Sequence, residues 1–194
     1  RSIQRKGSNS FEALNEPIIL DGPYSNSAFD IVCKNDKVYM IIGGKDLLNG
    51  KRFDKGGYIL TYDYDKWSFI DPKEAQKKLN LPRNPRDYTS IAVTTDDSND
   101  EIVYASSMGD GVIQYKNGTP VQSYNEKNAF KETAGGYGSG YCYIDGLAFD
   151  KNGNLWMTSS EVNHAVLVLD KAGAWHRLDI EQLRGVYTIN DILI

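Results

Sequence analysis

Asp150-Lys151-Asn152-Gly153-Asn154 sets three side-chain oxygen donors around a glycine and has the outline of a calcium loop. Such a loop rings a hard cation with carboxylate and carbonyl oxygens, with a glycine at the bend and a distal bidentate glutamate. Here that glycine and glutamate are misplaced, so the run is expected to be a hairpin turn. Carboxylates also come in pairs, at Asp96-Asp97 and at Asp63 and Asp65. Two carboxyls flanking a glycosidic bond can do acid–base work. These pairs fall at expected turn tips, where Asp serves backbone hydrogen bonding instead. His164 and His176 have no His, Cys or Glu at ligand spacing. No Gly-x-Ser-x-Gly elbow occurs, and local spacing supplies no Ser–His–Asp set. Gly135-Gly136-Tyr137-Gly138-Ser139-Gly140-Tyr141 has the glycine density of a nucleotide loop. It lacks the Lys-Ser/Thr pair and the strand–loop–helix setting of a phosphate cradle. What it does offer is two tyrosine rings, suited to sugar stacking, to a protein contact, or to packing at a sheet edge.

The elements that must position these residues are strands. Ile144 to Ser160 reads as a hairpin: Leu147 and Phe149 alternate with smaller residues, Asp-Lys-Asn-Gly turns the chain, and Leu155 and Met157 alternate again. The plan recurs. Phe29, Ile31 and Cys33 lead through Lys34-Asn35-Asp36 to residues 38–42, then 58–62 and 66–70 follow. Residues 89–93, 102–106, 111–115 and 120–124 make a second set, and 144–149, 155–159, 165–169 and 174–178 a third. Ile189–Ile194 opens a fourth. Aligning Ile31, Ile91, Leu147 and Ile192 gives spacings of 60, 56 and 45 residues. A four-stranded meander recurring at roughly 40–50 residues is a propeller signature, with longer spacings absorbed by inserted loops. The expected fold is all-β: a partial β-propeller of three four-stranded antiparallel blades at about 28–70, 89–124 and 144–178, plus the first strand of a fourth at 187–194. The alternative is a β-sandwich with coincidental spacing. Short helices are expected in inter-blade loops, at Asp71–Leu79 behind an Asp-Pro cap and at Asp179–Gly185. Ile18-Ile19-Leu20 is a possible further strand; residues 1–20 are otherwise without period.

In a propeller the loops after second and fourth strands share one face. The long insertions, 43–57, 71–88, 125–143 and 159–164, all belong to that class. Long loops are carried for binding more often than by chance, so this face is the expected interaction surface. Its candidate ligand contacts are Tyr137, Tyr141, Arg86, Asp110, Lys45, Arg52 and His164. Lys45, Arg52, Arg83 and Arg86 suit an anionic glycan, or are simply solvated. No catalytic residue, metal or cofactor is expected.

Composition sets outer bounds. The chain has 194 residues, 40% hydrophobic, with a formal charge of −4. No long basic run is present, which argues against nucleic acid. No apolar run approaches the ~20 residues of a membrane helix. Cys33 and Cys142 are expected to be buried and unpaired, and no CxxC occurs. The chain opens at Arg1 and stops at Ile194 inside an expected strand, so it is expected to be an excerpt of a longer protein. Its partner would then be the rest of its own propeller or a second copy of the chain.

Asp150-Lys151-Asn152-Gly153-Asn154-Leu155-Trp156 resembles the D-x-x-G-N-L-W core of the two-component-regulator propeller repeat. Gly22–Ser27, Val121–Glu126, Asp145–Asp150 and Gly173-Ala174-Trp175 resemble more closely the surface β-propeller protein of the Por (type IX) secretion system of Bacteroidetes. The resemblance covers about residues 17–194. The first two repeats depart from the motif: neither has Gly-Asn-Leu-Trp, and Glu101-Ile102-Val103-Tyr104 stands there in the second. The resemblance implies a periplasmic or cell-surface protein that is not an enzyme. It would be a sensor or secretion scaffold binding a glycan or a surface protein. The reading from a different class is a fragment of a propeller-type polysaccharide lyase or glycosidase.

Overall fold

The computed structural model describes residues 3–5, 11–13, 22–130 and 140–194. Ile18-Ile19-Leu20 and Tyr137 lie outside the described residues. β1 (Ile3–Arg5) and β2 (Phe11–Ala13) pair antiparallel, where the sequence analysis reads no element.

Three antiparallel meanders follow. The first is β3 (Ala28–Lys34), β4 (Lys37–Ile42), β5 (Ile59–Asp63) and β6 (Lys66–Ile70). The second is β7 (Tyr88–Thr95), β8 (Glu101–Gly109), β9 (Gly111–Lys116) and β10 (Thr119–Tyr124). The third is β11 (Cys142–Phe149), β12 (Leu155–Ser159), β13 (Val166–Leu169) and β14 (Trp175–Leu178). Their tight turns use residues that tolerate positive φ, as at Asn35 (50°) and Asp36 (59°), and Asn117 (48°) with Gly118 (74°). Asp150 closes its turn through hydrogen bonds to its carboxylate. Its carboxylate accepts the Trp156 indole N–H at 3.0 Å, the Asn154 amide at 2.8 Å, and the N–H groups of Asn152 and Asn154 at 2.9 Å each. Those donors, Trp156 first, hold its pKa at about 2.

The meanders are not three separate sheets. β8 runs two residues past its ladder with β7, and those residues pair with the start of β11 (Met108↔Tyr143, Gly109↔Cys142). The second and third meanders therefore form one curled eight-stranded sheet. The expected helix at 71–79 is α1 (Pro72–Leu79), capped by the Asp71 carboxylate on the Lys73 N–H at 2.9 Å. At 179–185 only a 3₁₀ turn forms, Glu181–Leu183. Asp179, the expected cap, instead holds the Arg184 guanidinium at 2.6 and 2.7 Å. Residues 187–194 form no strand.

The core lies between successive meanders. Tyr39, Ile41 and Ile59 pack with Ile91, Val103, Ile113 and Tyr115 between the first and second. Ile102, Tyr104 and Val112 pack with Leu147, Leu155, Met157 and Leu167 between the second and third. The first strands lie side by side, β7 touching both β3 and β11. Each carries a bulge just before the aligned residue, between Ala28 and Asp30, Tyr88 and Ser90, and Ile144 and Leu147. The bulge hands a hydrogen bond onward. Asp30 accepts the Ile91 N–H at 3.1 Å, and the Ser90 hydroxyl accepts the Leu147 N–H at 3.2 Å. At the third position stands Gly146, where a Cβ would lie 2.6 Å from the Ile192 nitrogen. The segment at 191–192 thus runs beside β11 as β11 runs beside β7, although no ladder forms.

Cys142 is buried, and burial pushes its thiol up to about 12. Cys33 is exposed, not buried. It shares its face of β3 with Ile31, itself 57% exposed, the face turned away from the second meander. A disulfide-type thiol reagent is therefore expected to modify Cys33 in the folded protein, and Cys142 only after denaturant is added. Release of two equivalents before unfolding would contradict this placement. Among the described residues no helix is long and apolar enough to cross a membrane.

Candidate functional site

The long loops meet on one side of the molecule because their backbones pair with one another. Gly57 N–H donates to Pro85 O at 3.0 Å, and Gly56 bridges Arg86. Asp87 N–H donates to Lys55 O at 2.9 Å, and the Asp87 carboxylate accepts the Lys55 N–H at 2.9 Å. Asp87 O in turn accepts the Met108 N–H, and Asp110 bridges Cys142. The tight turns meet on the other side, where Lys37 reaches Glu101 at 3.1 Å and Lys171 reaches Asp97 at 3.0 Å.

Within this face the candidates divide. Arg52, Arg86, Asp110 and Tyr141 come together. Arg52 lies 2.9 Å from Asp54 and 3.3 Å from the buried Asp87, and it interacts with the Tyr141 hydroxyl. Burial raises the Asp87 and Tyr141 pKa values, and the Arg52 guanidinium opposes both shifts. Asp110 accepts Arg83 at 2.8 Å and the Arg86 N–H at 3.2 Å. Arg86 keeps a half-exposed guanidinium, 3.7 Å from Asp54. These arginines are therefore partnered by carboxylates of their own chain. Arg83, expected as a solvated or glycan-facing charge, fixes Asp110.

Lys45 does not offer a charge to the surface. It is 2% exposed, its ammonium paired with the buried Asp145, 3.0 Å from the Tyr143 hydroxyl and 4.8 Å from that ring's centre. Asp145 also accepts the Ser160 hydroxyl at 2.5 Å, and Ser160 accepts the Ile189 N–H at 2.8 Å. This network ties the loop after β4 to β11, the loop after β12 and the 189–192 segment. Tyr141 is buried too, its ring edge-on to Tyr143 at 6.3 Å, so its face is not open to a sugar. His164 stands in the loop after β12, with Asp179 as a nearby charge.

A cleft of about 410 Å³ opens between the α1–β7 loop and the loop before β11. Arg83, Asp110, Ser123, Glu126, Lys127 and Tyr141 line it. Arg86, Lys45 and His164 are not among its lining residues. Its mixture of one aromatic edge with charged and hydroxyl groups suits a polar ligand held by several hydrogen bonds.

No family model matches the sequence, and no curated protein does. Among solved structures the chain is similar to PorZ, an essential bacterial surface component of the type-IX secretion system of Porphyromonas gingivalis. The TM-score is 0.72 at 22% identity, covering 96% of this chain and 24% of that one. The chain thus spans about a quarter of the length of the chain it matches. The likeness is one of fold, and it agrees with the Por side of the resemblance. The two-component-regulator side gains no support from it.

Proposed function

We propose that this chain is part of a β-propeller in a non-enzymatic surface protein serving a secretion apparatus, and that its long-loop face binds a partner. The observation that carries the reading is the knitting of the loops after β4 and β6 to each other and, through the end of β8, to the start of β11 around the cleft. A propeller is supported by the recurring bulge, by the hydrogen bond handed from β3 to β7 to β11, and by apolar cores between successive meanders. The fold likeness to a surface component of a secretion system favours an extracytoplasmic setting. The partner is a glycan or a protein.

Asp110 and Glu126 on one cleft are what a polysaccharide lyase or glycosidase would draw on. Asp110 is already held by Arg83 and the Arg86 N–H, which leaves it poorly placed to act on a sugar. The test is a glycan array run alongside titration with purified surface proteins. Ser123→Tyr, which fills the cleft, is expected to weaken binding by about tenfold or more. Binding unchanged by the filled cleft would remove the cleft from the reading. Release of reducing ends from any polysaccharide on the array would turn it towards the enzyme.

A further inference from the structure

The loop after β4 ends in a tip that the cleft does not use. Lys45 and Arg52 face each other across an antiparallel bridge, and the residues between them close into a turn. Asp46 organises it. Its carboxylate accepts the Leu48 N–H at 2.8 Å and the Asn49 amide at 3.0 Å, its carbonyl accepts the Gly50 N–H at 2.7 Å, and its N–H donates to Lys51 O at 2.8 Å. The Lys51 N–H donates to Asn49 Oδ1 at 2.9 Å. Both roots are anchored, Lys45 by Asp145 and Arg52 by Asp54 and Asp87. So stiff a turn would be expected to display polar side chains. Instead Leu48 is 98% exposed and Leu47 56%. Phe53 is exposed on the same loop, and exposed Tyr187 lies against Gly50, where a Cβ would stand 3.1 Å from its ring.

One exposed leucine is ordinary. Two adjacent exposed leucines on a turn fixed at tip and base, with an exposed tyrosine ring against Gly50 of the same turn, are the kind of exposed apolar feature that marks an interaction site. Anchors already held in shape lose little conformational freedom on docking, which is how a few residues come to dominate an interface.

We propose that Leu47 and Leu48 form a docking finger that inserts into an apolar cleft on a partner protein. The proposal deepens the long-loop-face reading and rests on it. A protein fits better than a lipid surface because the loop's charges are of both signs. Asp46 and Asp54 stand among Lys51, Arg52 and Lys55, whereas binding to anionic headgroups calls for a cluster of one sign. A mixed rim complements another protein's mixed surface.

The test places the photo-crosslinking residue p-benzoylphenylalanine at Leu48, or at Tyr64, in the full-length protein in the cells that make it. Tyr64 is 69% exposed on the β5–β6 turn, among the tight turns. A discrete adduct is expected from Leu48 and none from Tyr64. The adduct's protein, purified, is expected to bind the unmodified chain, with Leu48→Ser weakening Kd by about tenfold or more and Tyr64→Ser by less than about twofold. Both variants should keep the parent melting temperature, since neither side chain is buried. No adduct at Leu48, equal adducts at both positions, or a Kd indifferent to Leu48→Ser would overturn the finger. So would Leu48-dependent binding to phosphatidylethanolamine–phosphatidylglycerol vesicles. A partner that binds Leu48→Ser normally yet loses binding to Ser123→Tyr would overturn the finger alone and leave the face reading standing.

Discussion

Lys45→Met is expected to lower the unfolding free energy by about 3–5 kcal/mol at pH 7, the range for removing one member of a buried ion pair. Asp145 is fully buried, and without the ammonium it would keep, among the described residues, the Ser160 hydroxyl as a side-chain donor. Burial already raises the Asp145 pKa above the ordinary 3.8, with Lys45 and then Ser160 opposing the rise. Removing Lys45 lifts it further. Between 3.8 and the raised value the folded variant holds a proton that the unfolded chain has released. Its stability therefore increases as pH falls through that window. The deficit against the parent should be largest near neutrality and narrow towards pH 4. Lys45→Met/Asp145→Asn should regain at least about 1 kcal/mol of the loss, because the two groups are directly coupled. Urea unfolding across pH measures all three. A single variant within about 1 kcal/mol of the parent at pH 7, or a deficit that widens on acidification, would show that the pair is not buried as described.

That pair also marks how far the candidate site was legible. Read locally, Lys45 is a surface loop cation, facing a ligand or simply solvated, because a lysine amid polar residues usually is one. Its counter-charge lies 100 residues away, so no local window reveals it. A signal did exist in Tyr143-Ile144-Asp145-Gly146-Leu147. A carboxylate inside a run that reads as a buried strand needs a cation, and the loops over that strand are where to seek it. Leu47-Leu48 is a comparable local signal, two leucines between Asp46 and Asn49-Gly50 inside an expected polar loop. Tyr141 is a related case: a tyrosine beside glycines reads equally as a displayed ring or as packing at a sheet edge, and here it packs with Met108 and Tyr143.

The strands were legible because alternation and turn chemistry are local. Asn117-Gly118 and Asp150–Asn154 bend where the sequence says they must. Ile31, Ile91 and Leu147, aligned by sequence alone, each fall within a residue of the end of a bulge. The β8–β11 join was not legible, since it depends on β8 outrunning its partner by two residues and meeting a strand from the next repeat. The missing strand at 187–194 has the same origin. A strand needs a ladder partner, and an apolar run such as Ile189–Ile194 cannot say whether one is in reach.

The same close packing of repeat on repeat makes Gly43 a sensitive glycine of the long-loop face. Gly43→Ala is expected to cost about 2–5 kcal/mol, adding backbone strain to overpacking. Gly43 sits at φ +140°, and a Cβ there would lie 2.3 Å from the Tyr88 nitrogen and 2.6 Å from the Asp87 Cα. Those atoms are backbone, fixed by the Asp87–Lys55 and Asp87–Met108 hydrogen bonds, so no side chain can swing aside. The control is Gly173→Ala, at φ +88° with no atom within 4 Å of the added carbon. It carries the strain of positive φ alone and should cost about 1 kcal/mol. The difference between the two variants isolates the contact between the root of the loop after β4 and the start of β7. If both unfold at the same urea concentration, that contact is not made, and the loop that carries Lys45, Arg52 and the Leu47-Leu48 tip does not sit against β7.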